Sequence, residues 1–126
     1  MAQENATDRY LVLIREPEWD PASATDADWA AMSAAHKAFS DAVIAAGAKV
    51  VGGEGLLPTS HAVSITPATD GKPAVFTDGP FTETREVVSG FYLLQTDSAE
   101  TARELAALCP TGGHIELYPV LDTSGM

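Results

Sequence analysis

The sequence has one cysteine, Cys109, and no long run of apolar residues. A single cysteine cannot form an internal disulfide, and the paired cysteine patterns of zinc sites are missing. No stretch approaches the ~20 consecutive apolar residues that a membrane-spanning helix requires, so we expect no membrane partner. Residues 1–5 lack the basic and apolar regions of a secretory leader, which predicts a cytoplasmic protein.

Basic side chains are also scarce. Seven Lys and Arg face 18 Asp and Glu, which gives a formal net charge of −11. Such a surface repels phosphate backbones, and no Lys/Arg stripe counters this, so we expect no nucleic-acid partner. The three histidines are tens of residues apart, which is not a zinc spacing. The sequence therefore predicts neither a metal nor a cofactor.

The length of 126 residues corresponds to one domain, which we place over 1–126 with a core of about 9–121. A helix is predicted over 28–46, capped by Thr25 or Asp26 and ended by Gly47. A shorter helix over 99–108 is capped by Asp97 or Ser98. The apolar stripe of the first helix recurs at steps of three and four: Trp29, Met32, His36, Phe39 and Val43.

The remaining apolar runs predict strands, two of which flank Asp70-Gly71, a favoured hairpin turn. The order is β-α-β-(hairpin)-β-α-β. It predicts an α+β, ferredoxin-like antiparallel sheet with two helices on one face. The predicted strands are 10–14, 49–51, 61–65, 73–76, 87–94 and 113–120.

The first strand is apolar on both of its sides. Val12 and Ile14 alternate with Leu11 and Leu13, so both faces of the sheet carry apolar side chains. Two helices can cover only one of these faces. We therefore expect a homodimer in which the second face packs against the sheet of a sister chain.

Asp78-Gly79-Pro80-Phe81 is the most distinctive segment of the chain. Because Pro80 has no N–H, Asp78 cannot close an ordinary tight turn on it. Two interpretations stand side by side. The segment is a rigid connector anchored by Phe81, or it projects the Asp78 carboxylate at the edge of a pocket.

The stretch from Thr77 to Glu86, with Gly90-Phe91-Tyr92-Leu93 behind it, resembles the signature of YCII-related proteins of the DGPF type. Cys109-Pro110 and the ending 115–120 resemble the close of that family. The resemblance runs from the first strand to Val120. It implies a bacterial protein with a ferredoxin-like fold and a dimeric α+β barrel, and it implies no assigned reaction.

His36 is the second residue of interest, because it interrupts an apolar helix face. It is either a packed core histidine or an acid–base group. The resemblance favours the second interpretation, since relatives carry a His eleven residues before the helix-ending glycine, as His36 precedes Gly47. In those relatives the His acts with an Asp before a proline, where this chain has Cys109.

Two functions follow from this incomplete pair. In the first, the protein is an enzyme for a small organic molecule, with His36 transferring a proton and Asp78 orienting it. In the second, it is a non-catalytic, ligand-binding or regulatory module. A Cys109–His36 nucleophile pair is a third and weaker idea. The candidate ligand-binding residues are Phe81, Arg85, Tyr92 and Cys109.

Overall fold

The computed structural model describes residues 6–81 and 85–126. The prediction made for residues 1–5, and residues 82–84 of the signature stretch, lie outside the described residues. Within them the helices are α1 (Asp26–Ala45) and α2 (Ala99–Ala106). The strands are β1 (Ala6–Glu16), β2 (Lys49–Gly55), β3 (Val63–Thr66), β4 (Val75–Asp78), β5 (Val87–Gln95) and β6 (His114–Leu121).

Four strands form one antiparallel sheet in the order β2-β5-β1-β6. The two strands that precede the helices therefore lie at its centre, and those that follow them lie at its edges. This arrangement confirms the predicted α+β, ferredoxin-like fold. The hairpin β3-β4 forms a separate two-stranded sheet, with Gly71 of its turn at φ +73°.

The helix starts follow the expected capping chemistry. Thr25 Oγ1 accepts the N–H of Asp28 at 3.1 Å, and the Asp28 carboxylate accepts the N–H of Thr25 at 2.9 Å. This capping box holds the pKa of Asp28 below its usual value. Gly47, at φ +78°, follows the end of α1. Ser98 caps α2, which ends two residues before the predicted position.

Several strand ends differ from the predictions. β1 and β2 are longer, because pairing with β5 continues through Glu16 on one side and Gly55 on the other. His61 does not open a strand. It lies in the short 3-10 turn Thr59–His61, where its N–H donates to Pro58 O at 2.9 Å.

The core lies between the helices and one face of the sheet. Phe39 and Val43 of α1 are buried there against Val12 and Leu94 of the two central strands. The remaining buried members of this cluster are Ile14, Ala48, Leu105, Ala106 and Cys109.

The opposite face of the sheet is also apolar. Leu11 pairs with Leu93, and Leu13 with Phe91, all of them half-buried. Because side chains alternate along a strand, this face points away from both helices. Tyr118 extends it and is half exposed. The apolar second face was predicted; the dimer inferred from it stays a prediction.

None of the helices described here combines the length and the apolar character needed to cross a membrane.

Candidate functional site

A pocket of about 780 Å³ opens between the first half of α1 and the sheet. Its polar wall side chains include His36, Tyr92, Glu16, Ser89 and Thr111. Its large apolar wall side chains are those of Trp19, Trp29, Met32, Leu56 and Leu57. An apolar cleft with a few placed polar groups is typical of a small-molecule site.

Glycines in the sheet leave the space that the pocket occupies. A Cβ at Gly53 would lie 2.9 Å from Phe91 O, and one at Gly90 would lie 2.8 Å from Glu54 O. Side chains are therefore excluded at both positions by neighbouring backbone. Gly53 of β2 and Gly90 of β5 therefore line the pocket without side chains.

His36 is half-buried on the pocket wall, and its Nδ1 lies 2.6 Å from the hydroxyl of Tyr92. The Tyr92 ring also packs on Phe39, with ring centroids 4.8 Å apart. Burial, and secondarily Cys109, raises the pKa of Tyr92, so its hydroxyl keeps its proton at neutral pH. This hydroxyl can donate to a bare Nδ1 or accept from a protonated one.

Glu16 places a carboxylate on the same pocket. Its Oε1 accepts the N–H of Gly112 at 3.0 Å, and its Oε2 accepts the hydroxyl of Ser89. Glu16 is not among the residues predicted from the sequence, because the first predicted strand ends at Ile14. Alternation with Val12 and Ile14 would have placed Glu16 on the helix side had the strand been extended by two residues.

Trp19 and Trp29 form the aromatic wall. Their ring centroids are 5.7 Å apart and the rings meet edge to face. Trp29 remains 46% exposed although it belongs to the predicted apolar stripe of α1. The first half of that stripe thus lines the pocket, whereas its second half enters the core.

Asp78 lies elsewhere. It ends β4, pairs with Val63 and is exposed, and it is not among the residues that line the pocket. The hydrogen bonds of the described residues include none between Asp78 and His36, whose ring partner is Tyr92. The structure does not bring the predicted pair together. A role for Asp78 in catalysis stays a prediction.

The distinctive Asp78–Phe81 segment is tied to the turn at Thr59. Gly79 N donates to Ala62 O at 2.9 Å, and Phe81 N donates to Thr59 Oγ1 at 3.4 Å. The Thr59 hydroxyl in turn donates to Glu18 at 2.5 Å. Through these bonds the segment braces the loop that carries Trp19, which matches its interpretation as a rigid connector.

Of the other predicted ligand-binding residues, one lines the pocket and the rest lie elsewhere in the domain. Tyr92 lines the pocket, whereas Phe81 and the exposed Arg85 are not among its lining residues. Cys109 is buried in the core, and burial, with a smaller effect of Glu16, raises the pKa of its thiol to about 12. A thiol of this kind is a poor nucleophile at neutral pH.

Among the residues that the structure describes, no group of three His, Cys, Asp or Glu is arranged to hold a metal ion.

Fold and pocket together define a small α+β domain with an open, aromatic-lined cleft beside its first helix. The family model of the YCII-related domain matches residues 9–124, and the chain belongs to that family. This membership identifies the type of domain and assigns no reaction. A search of the curated proteins finds no match for the chain.

Proposed function

We propose that the protein binds a small organic molecule in this pocket and that His36 is its acid–base group. The observation that carries the proposal is the 2.6 Å contact between His36 Nδ1 and the Tyr92 hydroxyl on the pocket wall. A titratable side chain held by a partner at the edge of an apolar cleft is the usual form of such a site.

Tyr92 takes the orienting role that the sequence analysis gave to Asp78. Its hydroxyl engages Nδ1, which leaves Nε2 as the ring nitrogen for proton exchange with a ligand. The Tyr92 ring is itself fixed against Phe39 in the core. The imidazole is therefore anchored through Tyr92 to the packed part of the domain.

A metabolite library tests the proposal by thermal shift, because a ligand of the folded state raises the melting temperature by mass action. Each ligand found is then incubated with the wild type and with His36→Gln, and products are followed by mass spectrometry. Turnover by the wild type, with binding but no turnover by His36→Gln, is the expected result. Turnover by His36→Gln at the wild-type rate would refute the acid–base role.

A second candidate function is binding without chemistry, and Cys109 favours it. That residue replaces the Asp with which relatives complete their His, and its buried thiol stays protonated to a pKa of about 12. Recovery of every bound ligand unchanged after long incubation with the wild type would support this second candidate.

The DGPF-type grouping, with a bacterial cytoplasmic setting, is part of the same proposal. The grouping rests on the resemblance of the stretch from Thr77 to Glu86, in which the motif glycine is tightly packed: a Cβ at Gly79 would lie 1.8 Å from Thr59 O. No other residue fits there without moving the backbone. The motif is thus explained by packing against the turn at Thr59.

A homodimer completes the proposal. The apolar face formed by Leu11, Leu13, Phe91 and Leu93 lies on the central strands, and a two-fold copy offers the same face in return. Sedimentation of the wild type should give a dimer mass and that of Leu13→Asp a monomer mass. A monomeric wild type at high concentration would overturn this part.

A further inference from the structure

The pocket wall has a one-sided charge. Among its described lining residues the charged ones are Glu16 and Glu54, with no Lys or Arg. Glu54 pairs with Phe91, whose partner Leu13 belongs to the face away from the helices, so the Glu54 side chain points away from the pocket. Glu16 is the carboxylate that remains on the pocket side.

The Glu16 carboxylate is fixed in place. Both oxygens already accept a hydrogen bond, from Gly112 N and from the Ser89 hydroxyl. Each carboxylate oxygen has a second lone pair, so a ligand donor can still bind. Charge-assisted bonds from an ammonium group to a carboxylate are among the strong hydrogen bonds of proteins.

The aromatic wall suits the rest of such a ligand. Trp19 and Trp29 present indole surface to the cleft, and Trp29 is 46% exposed. Indole binds apolar groups by contact and attracts a nearby cation through the negative face of its ring.

We propose that the pocket selects an organic cation, an alkyl- or arylalkylamine whose ammonium group binds Glu16 and whose body packs on Trp19 and Trp29. This inference rests on the proposed function and names its ligand class. The protein's formal net charge of −11 acts in the same direction, since it raises the local concentration of cations and repels anions.

Three probes with one phenyl ring and a short chain test the proposal: 2-phenylethylamine, 2-phenylethanol and 3-phenylpropionate. Their dissociation constants are measured by tryptophan fluorescence and calorimetry at pH 7. We expect the amine to bind at least about tenfold more tightly than the carboxylate. Raising the salt concentration to ~1 M should reduce the ratio between the dissociation constants of the carboxylate and the amine, because screening weakens charge pairs.

Glu16→Gln should bring the amine close to the alcohol in affinity. Glu54→Gln is the matched control, because it removes the same charge from a side chain that points away. The amine preference should survive in it. The comparison of the three probes on the wild type needs no variant, so it can still overturn the inference if Glu16→Gln fails to fold.

The carboxylate binding as tightly as the amine, or an amine preference equal in Glu16→Gln and the wild type, would overturn the inference. The proposed function would then stand, since a ligand still binds the pocket. Binding of none of the three probes would also overturn the inference. The proposal that the pocket binds a small molecule falls only if the metabolite library fails as well, whereas the acid–base role is tested separately by His36→Gln.

Discussion

The layer between α1 and the sheet has a filled end and an open end, and both are built on one helix. At the filled end, Phe39 and Val43 are 2% and 0% exposed, and they meet Val12 and Leu94 of the sheet. At the open end, Met32 and His36 line the pocket together with Gly53 and Gly90 of the sheet. The helix supplies large side chains throughout. Whether the space beneath the helix is filled therefore depends on the residues of the sheet.

This difference separates stability from function within one domain. Close packing at the filled end stabilises the fold, since buried side chains gain transfer energy and contacts together. The open end forgoes that gain and keeps polar groups accessible to a ligand. We therefore expect substitutions at the two ends to act on different measurements.

The largest expected effect is at the filled end. Phe39→Ala leaves a cavity among fully buried neighbours and should lower the free energy of unfolding by about 3–5 kcal/mol. Met32→Ala, on the same helix but facing the pocket, should lower it by less than about 1 kcal/mol. Urea unfolding followed by circular dichroism measures both. Equal losses would show that the two ends do not differ in packing.

The next largest effect is expected at Gly90, one of the two tightly packed glycines that line the pocket. Gly90→Ala forces a Cβ to 2.8 Å from Glu54 O, and such overpacking should cost about 1–3 kcal/mol. Gly52→Ala is the matched control on β2, because its Cβ would meet Leu93 Cβ at an ordinary 3.6 Å. We expect that change to stay within about 0.5 kcal/mol. A well-tolerated Gly90→Ala would mean that glycine is not sterically required at this position.

Cys109 predicts a pH dependence of the filled end. Its thiol has a pKa of about 12 in the folded protein against an ordinary 9.0, mainly because it is buried. The unfolded chain therefore ionises first. The stability that the protonated Cys109 thiol contributes to the folded state is fully present below pH 9, and it is lost as the pH rises from 9 towards 12.

Urea unfolding of the wild type and Cys109→Ala at several values between pH 8 and pH 11 measures this contribution. The wild type should lose stability faster with rising pH than Cys109→Ala does. The tyrosines and lysines titrate in both proteins, so they do not account for the difference. Parallel curves for the two proteins would contradict a buried, protonated thiol.

The sequence predicted the filled end better than the open one. Steps of three and four along α1, and the run Val12 to Ile14, identify the core because burial and periodicity go together. The pocket depends on which strand lies beneath which helix turn. This depends on tertiary structure, so Gly53 and Gly90 gave no separate signal. Glu16 was missed because the predicted strand ended at Ile14, and Asp78 was paired with His36 although it does not line the pocket.

Tyr92 joins the two ends and gives the last and smallest prediction. Tyr92→Phe keeps the ring that packs on Phe39 and removes the hydroxyl that contacts His36. Losing this hydrogen bond should cost about 0.5–1.5 kcal/mol of unfolding free energy. The ring nitrogen signals of His36, measured by NMR at fixed pH, should shift because Nδ1 loses its hydrogen-bond partner and the balance between the two tautomers changes.

Asp78→Asn is the control for this measurement. It changes a carboxylate on β4 that makes no described hydrogen bond to His36, so the ring signals should stay where they are. A shift in Asp78→Asn with none in Tyr92→Phe would reverse the assignment and restore Asp78 as the orienting group. A shift in Tyr92→Phe alone would mean that His36 is positioned from the core side of the pocket, by a residue whose own ring is fixed by Phe39.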